Sequence, residues 1–185
     1  MGSPVYVHIA RSAIRARLEG FHLDKTPFLE AMPDLEEKGA AFVTLTLHGK
    51  LRGCIGSLIA HRSLIDDIIA NAEAAAFRDP RFFPLSEPEF GEISVEVSLL
   101  SPPDQIHYRD RADLKTMIRP GIDGVIIRHG NYQATFLPQV WDELNDFDTF
   151  FAHLGLKAGI GSDPLANHPE VYVYQVEKFS EESRP

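Results

Sequence analysis

Apolar residues at Ala10, Ala13, Ile14 and Leu18 recur at helical spacing, with Arg11, Arg15 and Arg17 elsewhere and Gly20 as a stop, which predicts an opening helix. Residues 21–33 carry Pro27 and Pro33 without a period and read as a loop with a turn of helix. From Ala41 the period becomes two: Ala41, Val43, Leu45 and Leu47 face one way, Phe42, Thr44 and Thr46 the other. That is a strand, and His48-Gly49-Lys50 turns it into a second strand over 51–58. Ser63 with Asp66 has the form of a capping box, and Ile65, Ile68, Ile69, Ala72 and Ala76 make an apolar stripe, so a helix is predicted over 64–77. Pro80, Pro84 and Pro88 exclude regular structure from 79–88. Ile93, Val95, Val97 and Leu99 then alternate as a strand that Pro102 and Pro103 end.

The second half repeats this grammar. A short helix is expected over 112–118, closed by Pro120-Gly121, and a hairpin joins 124–128 to 132–137 through His129-Gly130-Asn131. Pro138 opens a helix to Leu144, Asp148 caps another that carries Phe151, Leu154 and Ala158 on one side, and Gly159 stops it. Residues 161–169 read as loop, 171–179 as the last strand, and the acidic tail 180–185 is expected to fray. Strands arriving as hairpins with helices between them predict an α+β fold, mainly antiparallel sheet flanked by helices. No repeat or linker divides residues 1–185, so one domain is expected, and if it forms two lobes they must be interleaved.

With 185 residues, folding removes roughly 70 % of the chain's surface from water, enough for a core without staples. The formal charge of −9 repels phosphate and anionic lipid, which argues against nucleic-acid and membrane partners. Asp66 and Asp67 interrupt the most apolar stretch, so no span of the roughly 20 apolar residues that a bilayer requires is present. One cysteine, Cys54, provides neither a disulfide nor a thiolate zinc cage, and no apolar leader follows Met1, which points to the cytoplasm. No phosphate-binding Gly-x-x-x-x-Gly-Lys loop exists, Gly159-x-Gly161 lacks its third glycine, and the eight histidines are scattered; no nucleotide cofactor and no metal are expected.

The segment Leu51-Arg52-Gly53-Cys54-Ile55-Gly56 stands out. Two glycines within a strand mark a bulge or the close approach of a ligand or another backbone. In a regular strand Arg52, Cys54 and Gly56 share a face, and a neighbouring guanidinium favours thiolate. Cys54 is then a nucleophile; the alternative is a small buried hydrophobe, with Arg52 in an ion pair. Asn71 interrupts an apolar helix and either faces water or holds a neighbouring loop. Asp79-Pro80-Arg81-Phe82-Phe83-Pro84 suits an ordered binding loop or an Asp–Arg latch. Thr135 and Gln139 stand where strand becomes helix, a place suited to an anion, while Phe136 and Trp141 read as core.

These stretches, with Ser98-Leu99-Leu100-Ser101-Pro102-Pro103, Gly121-x-Asp123-Gly124, Ala134-Thr135-Phe136-Leu137-Pro138-Gln139-Val140-Trp141 and Lys157-Ala158-Gly159, run in the order of the AMMECR family, which the chain resembles over about residues 10–179. The resemblance implies a larger lobe holding both termini, an inserted smaller lobe, and a cleft between them that receives the Arg-Gly-Cys segment. It also implies association with a Memo-like protein and a radical-SAM enzyme, known in prokaryotes as the AmmeMemoRadiSam system. The family often carries a cysteine just before Lys-Ala-Gly, where Gly155 and Leu156 stand here, and a tryptophan in the loop that here reads Ser162-Asp163-Pro164-Leu165. Phe83 stands where proline is common in the family, and without the second cysteine a dithiol mechanism has no partner thiol.

Two functions follow. In the first, a component of a modification pathway binds a small or peptide-like ligand around Arg52, Gly53 and Gly56. Cys54 is its nucleophile, Arg52 lowers the thiol pKa or holds an acidic substrate, and Asn71, Arg81, Thr135 and Gln139 position the ligand. In the second, the chain is a non-catalytic docking module in which Cys54 packs and Arg52 and Arg81 are contacts.

Overall fold

The computed structural model describes residues 4–181. Their order is α1 (Pro4–Glu19), α2 (Thr26–Ala31), β1 (Ala40–Leu47), β2 (Lys50–Gly56), α3 (Leu64–Phe77), α4 (Glu87–Phe90), β3 (Ile93–Leu100), β4 (Asp104–Ile106), α5 (Arg111–Met117), β5 (Gly124–His129), β6 (Tyr132–Phe136), α6 (Phe147–Ala158), β7 (Glu170–Tyr174) and β8 (Val176–Ser180). Two four-stranded antiparallel sheets result, ordered β2-β1-β3-β8 and β4-β7-β5-β6, each with helices packed on it: the fold is α+β.

The chain forms two compact units, one from the residues up to Leu100 together with those from Glu177, the other from Ser101–Val176. The core of the first joins Ile9, Ala13 and Ile14 of α1, Ala41, Val43 and Leu45 of β1, Ile65, Ile68, Ala72, Ala75 and Ala76 of α3, and Val95 and Val97 of β3. The core of the second centres on Phe150, Phe151 and Leu154 of α6 against Val125, Ile127 and Val171. Trp141 stacks on Phe150 at 3.6 Å and donates its Nε1–H to the Asp123 carbonyl at 2.9 Å, so this indole is core, while Phe136 packs at the core's margin.

Helix α3 begins where Ser63 accepts from the Asp66 N–H, and its predicted stripe is buried save for Ile69, which packs only partly. Several local expectations need correction. Asp146, not Asp148, caps α6 by accepting from the Thr149 N–H. Residues 138–142 form a tight 3-10 turn instead of an α-helix to Leu144, and a one-turn helix, α4, includes Pro88 in its first turn, where a missing N–H costs nothing.

The predicted last strand is two strands: β7 pairs with β4 and β5, whereas β8 lies beside β3 in the other sheet. The change falls at Gln175, whose N–H donates to Ser101 Oγ at 2.8 Å, while the Ser101 N–H donates to the Gln175 carbonyl. The expected fraying of the tail does not begin at Ser180, which is still in β8, and Glu181 is bound by the Arg11 guanidinium. The rest of that tail, residues 182–185, lies outside the described residues.

Candidate functional site

β2 is an edge strand, and its pairing with β1 slips once. Cys54 opposes Thr44 and Gly53 opposes Leu45, but Thr46 then meets Leu51, leaving Arg52 as the extra residue of a bulge. A regular strand would have aligned Arg52 with Cys54; the bulge separates their partners. Arg52 is 8 % exposed. Its Nε donates to Glu89 Oε2 at 2.7 Å, and its Nη2 donates to the Phe83 carbonyl at 2.8 Å and to Glu89 Oε1 at 3.1 Å. Its Nη1 is buried and has no hydrogen-bond partner among the described residues. The guanidinium holds the Glu89 carboxyl down at about 2, helped by the Ser86 N–H and hydroxyl and opposed by burial. Arg52 thus fastens the loop of residues 79–90 to β2.

Each glycine of the segment has a packing reason. A side chain on Gly53 would lie 2.1 Å from the Ala75 carbonyl oxygen, so the α3 backbone rests directly on it. One on Gly56 would lie 2.1 Å from the Phe42 ring, which fills that space. Cys54 is half-buried, with Sγ 3.3 Å from the Thr44 hydroxyl. Thr44 is also opposite Glu96 on β3, so Cys54, Thr44 and Glu96 form a row across one face of three strands.

The main chain of Cys54 is held by a second device. Its N–H donates to Asp79 Oδ2 at 3.0 Å and its carbonyl accepts from Arg81 Nη2 at 3.4 Å. Asp79 is buried and binds Arg81 twice, at 2.7 and 3.0 Å, besides accepting the Arg81 N–H. The Arg81 guanidinium holds the Asp79 carboxyl well below the usual carboxylate range, against burial and with help from the Cys54 and Arg81 N–H groups; Asp79 in turn raises Arg81. This pair gives the edge strand the donor and acceptor that another strand would have offered.

Asn71 is buried and holds a strand. Its Nδ2 donates to the Ala41 carbonyl at 2.9 Å, to Ser57 Oγ at 3.2 Å and to Asp67 Oδ2 at 3.1 Å. Asp67, which sequence reasoning missed, is fully buried and accepts from the Ala41 N–H, Ser57 Oγ and Arg62 Nε. The overlooked signal is the i, i+4 spacing of Asp67 and Asn71 on the apolar side of α3.

Thr135 and Gln139 belong to the second unit. Thr135 Oγ1 donates to the Val125 carbonyl at 2.8 Å and lies 2.9 Å from the Tyr174 hydroxyl, whose pKa burial pushes up to about 12. Lys157 Nζ donates to the Thr135 carbonyl at 2.9 Å over the Phe136 ring, and burial lowers its pKa. Gln139 is exposed in the 3-10 turn. Asp123 is buried; burial pulls its pKa up, but the Arg119 guanidinium and Gln175 outweigh this and leave it lowered. Among the described residues, no group of three or more His, Cys, Asp or Glu side chains is arranged to hold a metal ion, and no helix is long and apolar enough to cross a membrane.

A protein of Methanothermobacter thermautotrophicus is 39 % identical over 180 residues, which cover 95 % of this chain and 92 % of that one. One of Saccharolobus islandicus is 41 % identical over 168 residues, covering 85 % and 71 %. The crystal structure of an uncharacterised protein from Pyrococcus horikoshii superposes with a TM-score of 0.85 at 35 % identity, covering 96 % of this chain and 90 % of that one. The family model described as AMMECR1 matches residues 7–179, a stretch that includes β2, the loop after α3 and the Thr135 strand, and the chain belongs to that family.

Proposed function

We propose that this chain is a docking component of a modification pathway, with the loop of residues 79–90 as its contact surface. The partners are the Memo-like protein and the radical-SAM enzyme that the family resemblance brings with it. One observation carries the reading: Phe83 is 89 % exposed on a loop that is fastened at both ends. An aromatic ring left in water forgoes roughly 1.5–3 kcal/mol of burial. This one is kept from folding back by Arg52 on its own carbonyl, by the Leu85 N–H on the Ala76 carbonyl, and by the reciprocal cap between Ser86 and Glu89. A rigid aromatic two residues along the chain from the half-exposed Arg81 has the composition of a binding hot spot, and its rigidity lowers the entropy lost on association.

The test is the affinity of the purified chain for the Memo-like protein encoded by the same genome. Phe83→Ala is expected to weaken binding at least tenfold with an unchanged urea midpoint, while Cys54→Ser stays within twofold. Full affinity in Phe83→Ala overturns the reading.

A second reading keeps Cys54 as thiolate nucleophile or covalent carrier for a small or peptide-like ligand. It is favoured by the half-buried Sγ beside the Thr44 hydroxyl. It expects iodoacetamide to label Cys54 in the folded protein and Thr44→Val to change the rate; labelling only after unfolding rules it out.

A further inference from the structure

We infer that the hollow between the last turn of α1, the segment after it and the outer face of α3 binds a zwitterion of the amino-acid or short-peptide class. Its volume is about 560 Å³, within the range of small-molecule sites. Leu23 and Ile69 contribute apolar lining, and Arg17, His22 and Glu73 contribute polar lining. Arg17 and Glu73 carry opposite charges and border the same space, yet neither makes an ion pair or hydrogen bond with a side chain of the described residues, and His22 is equally unengaged.

Arg52, Arg62, Arg81, Arg119 and Arg128 each hold a carboxylate within 3 Å, whereas Arg17 holds none among the described residues although Glu73 borders the same hollow. At the hollow itself, Lys25 and Asp66 satisfy each other at 2.9 Å and leave Arg17 and Glu73 as the uncommitted pair. A carboxylate would take two parallel hydrogen bonds from Arg17, an ammonium would pair with Glu73, and an aliphatic body would cover Leu23 and Ile69. A solute with one charge leaves either Arg17 or Glu73 alone. A zwitterion with an apolar side chain matches all three features, and none of these residues belongs to the loop of residues 79–90.

The test is calorimetric titration of the full chain with L-leucine and with L-leucyl-L-leucine, the two sources of this chemistry. In parallel, 4-methylpentanoate lacks the ammonium and 3-methylbutylamine lacks the carboxylate. Saturable binding of at least one zwitterion is expected, weakened tenfold or more by loss of either charge on the ligand and by Arg17→Ala or Glu73→Ala. Arg17 is exposed and Glu73 half-buried, and an unchanged urea midpoint shows that the fold is intact. Failure of both zwitterions to saturate, or binding indifferent to both substitutions, overturns the inference.

Discussion

At the edge of one sheet the Cys54 carbonyl accepts from Arg81; at the edge of the other the Thr135 carbonyl accepts from Lys157. Both cations lean on an aromatic ring, Phe82 for Arg81 and Phe136 for Lys157. The difference is the carboxylate. Asp79 is buried beneath Arg81 and also takes the Cys54 N–H, so the β2 edge is closed at donor and acceptor alike, while Lys157 closes only an acceptor. The glycine-rich segment of β2 is therefore locked from three sides, by Asp79, Arg52 and the α3 backbone, whereas the β6 edge is pinned by one flexible amine. In the first unit Arg52, Asn71 and Arg81, which look like ligand-binding groups in the sequence, engage carboxylates and carbonyls of that same unit.

Asp79 carries the largest expected effect at the β2 edge. Asp79→Ala leaves the Cys54 N–H unpaired and removes the buried carboxylate that holds Arg81, and urea unfolding is expected to show a loss of about 3 kcal/mol. Gly53→Ala forces a methyl group against the Ala75 carbonyl and is expected to cost about 2 kcal/mol, read as a lower urea midpoint. The acid limb of stability sharpens the contrast. Glu89 is depressed to about 2 from an ordinary 4.5, so the unfolded chain binds the proton more readily. Its contribution is complete above about pH 4.5 and disappears as pH falls toward 2, with Asp79 acting in the same direction. Glu89→Gln should therefore flatten the decline of the urea midpoint between those limits. The smallest effect belongs to Lys157→Ala, expected to cost under about 1 kcal/mol by the same assay, since its one hydrogen bond is readily replaced by water.

How much of this was legible in the sequence depends on whether the cause is local. Leu64–Phe77 was readable because cap, stripe and terminus all lie within the segment. The break at Gln175 was not: residues 171–179 contain no glycine, proline or other turn residue to mark it, and only pairing with distant strands assigns the halves to different sheets. The glycines announced that something approaches the β2 strand closely, but whether a ligand or a helix depends on the Ala75 carbonyl, 22 residues on. The partition of Arg52 from Cys54 was hidden in the same way, because one skipped residue in the register leaves no mark on hydrophobic alternation. Asp79 with Arg81 was visible as a latch; that it closes on the Cys54 main chain was not.

Arg52 and Asp79 fasten the loop that displays Phe83, and native-state amide hydrogen exchange reads this directly. The N–H groups of Phe82, Leu85 and Ser86 are bonded to the Asp79 carbonyl, the Ala76 carbonyl and Glu89 Oε1. In Arg52→Lys, which keeps the charge but loses the fork, these amides are expected to exchange at least tenfold faster, with those of α6 unchanged. Equal protection of the loop in the variant and the parent chain would contradict the account.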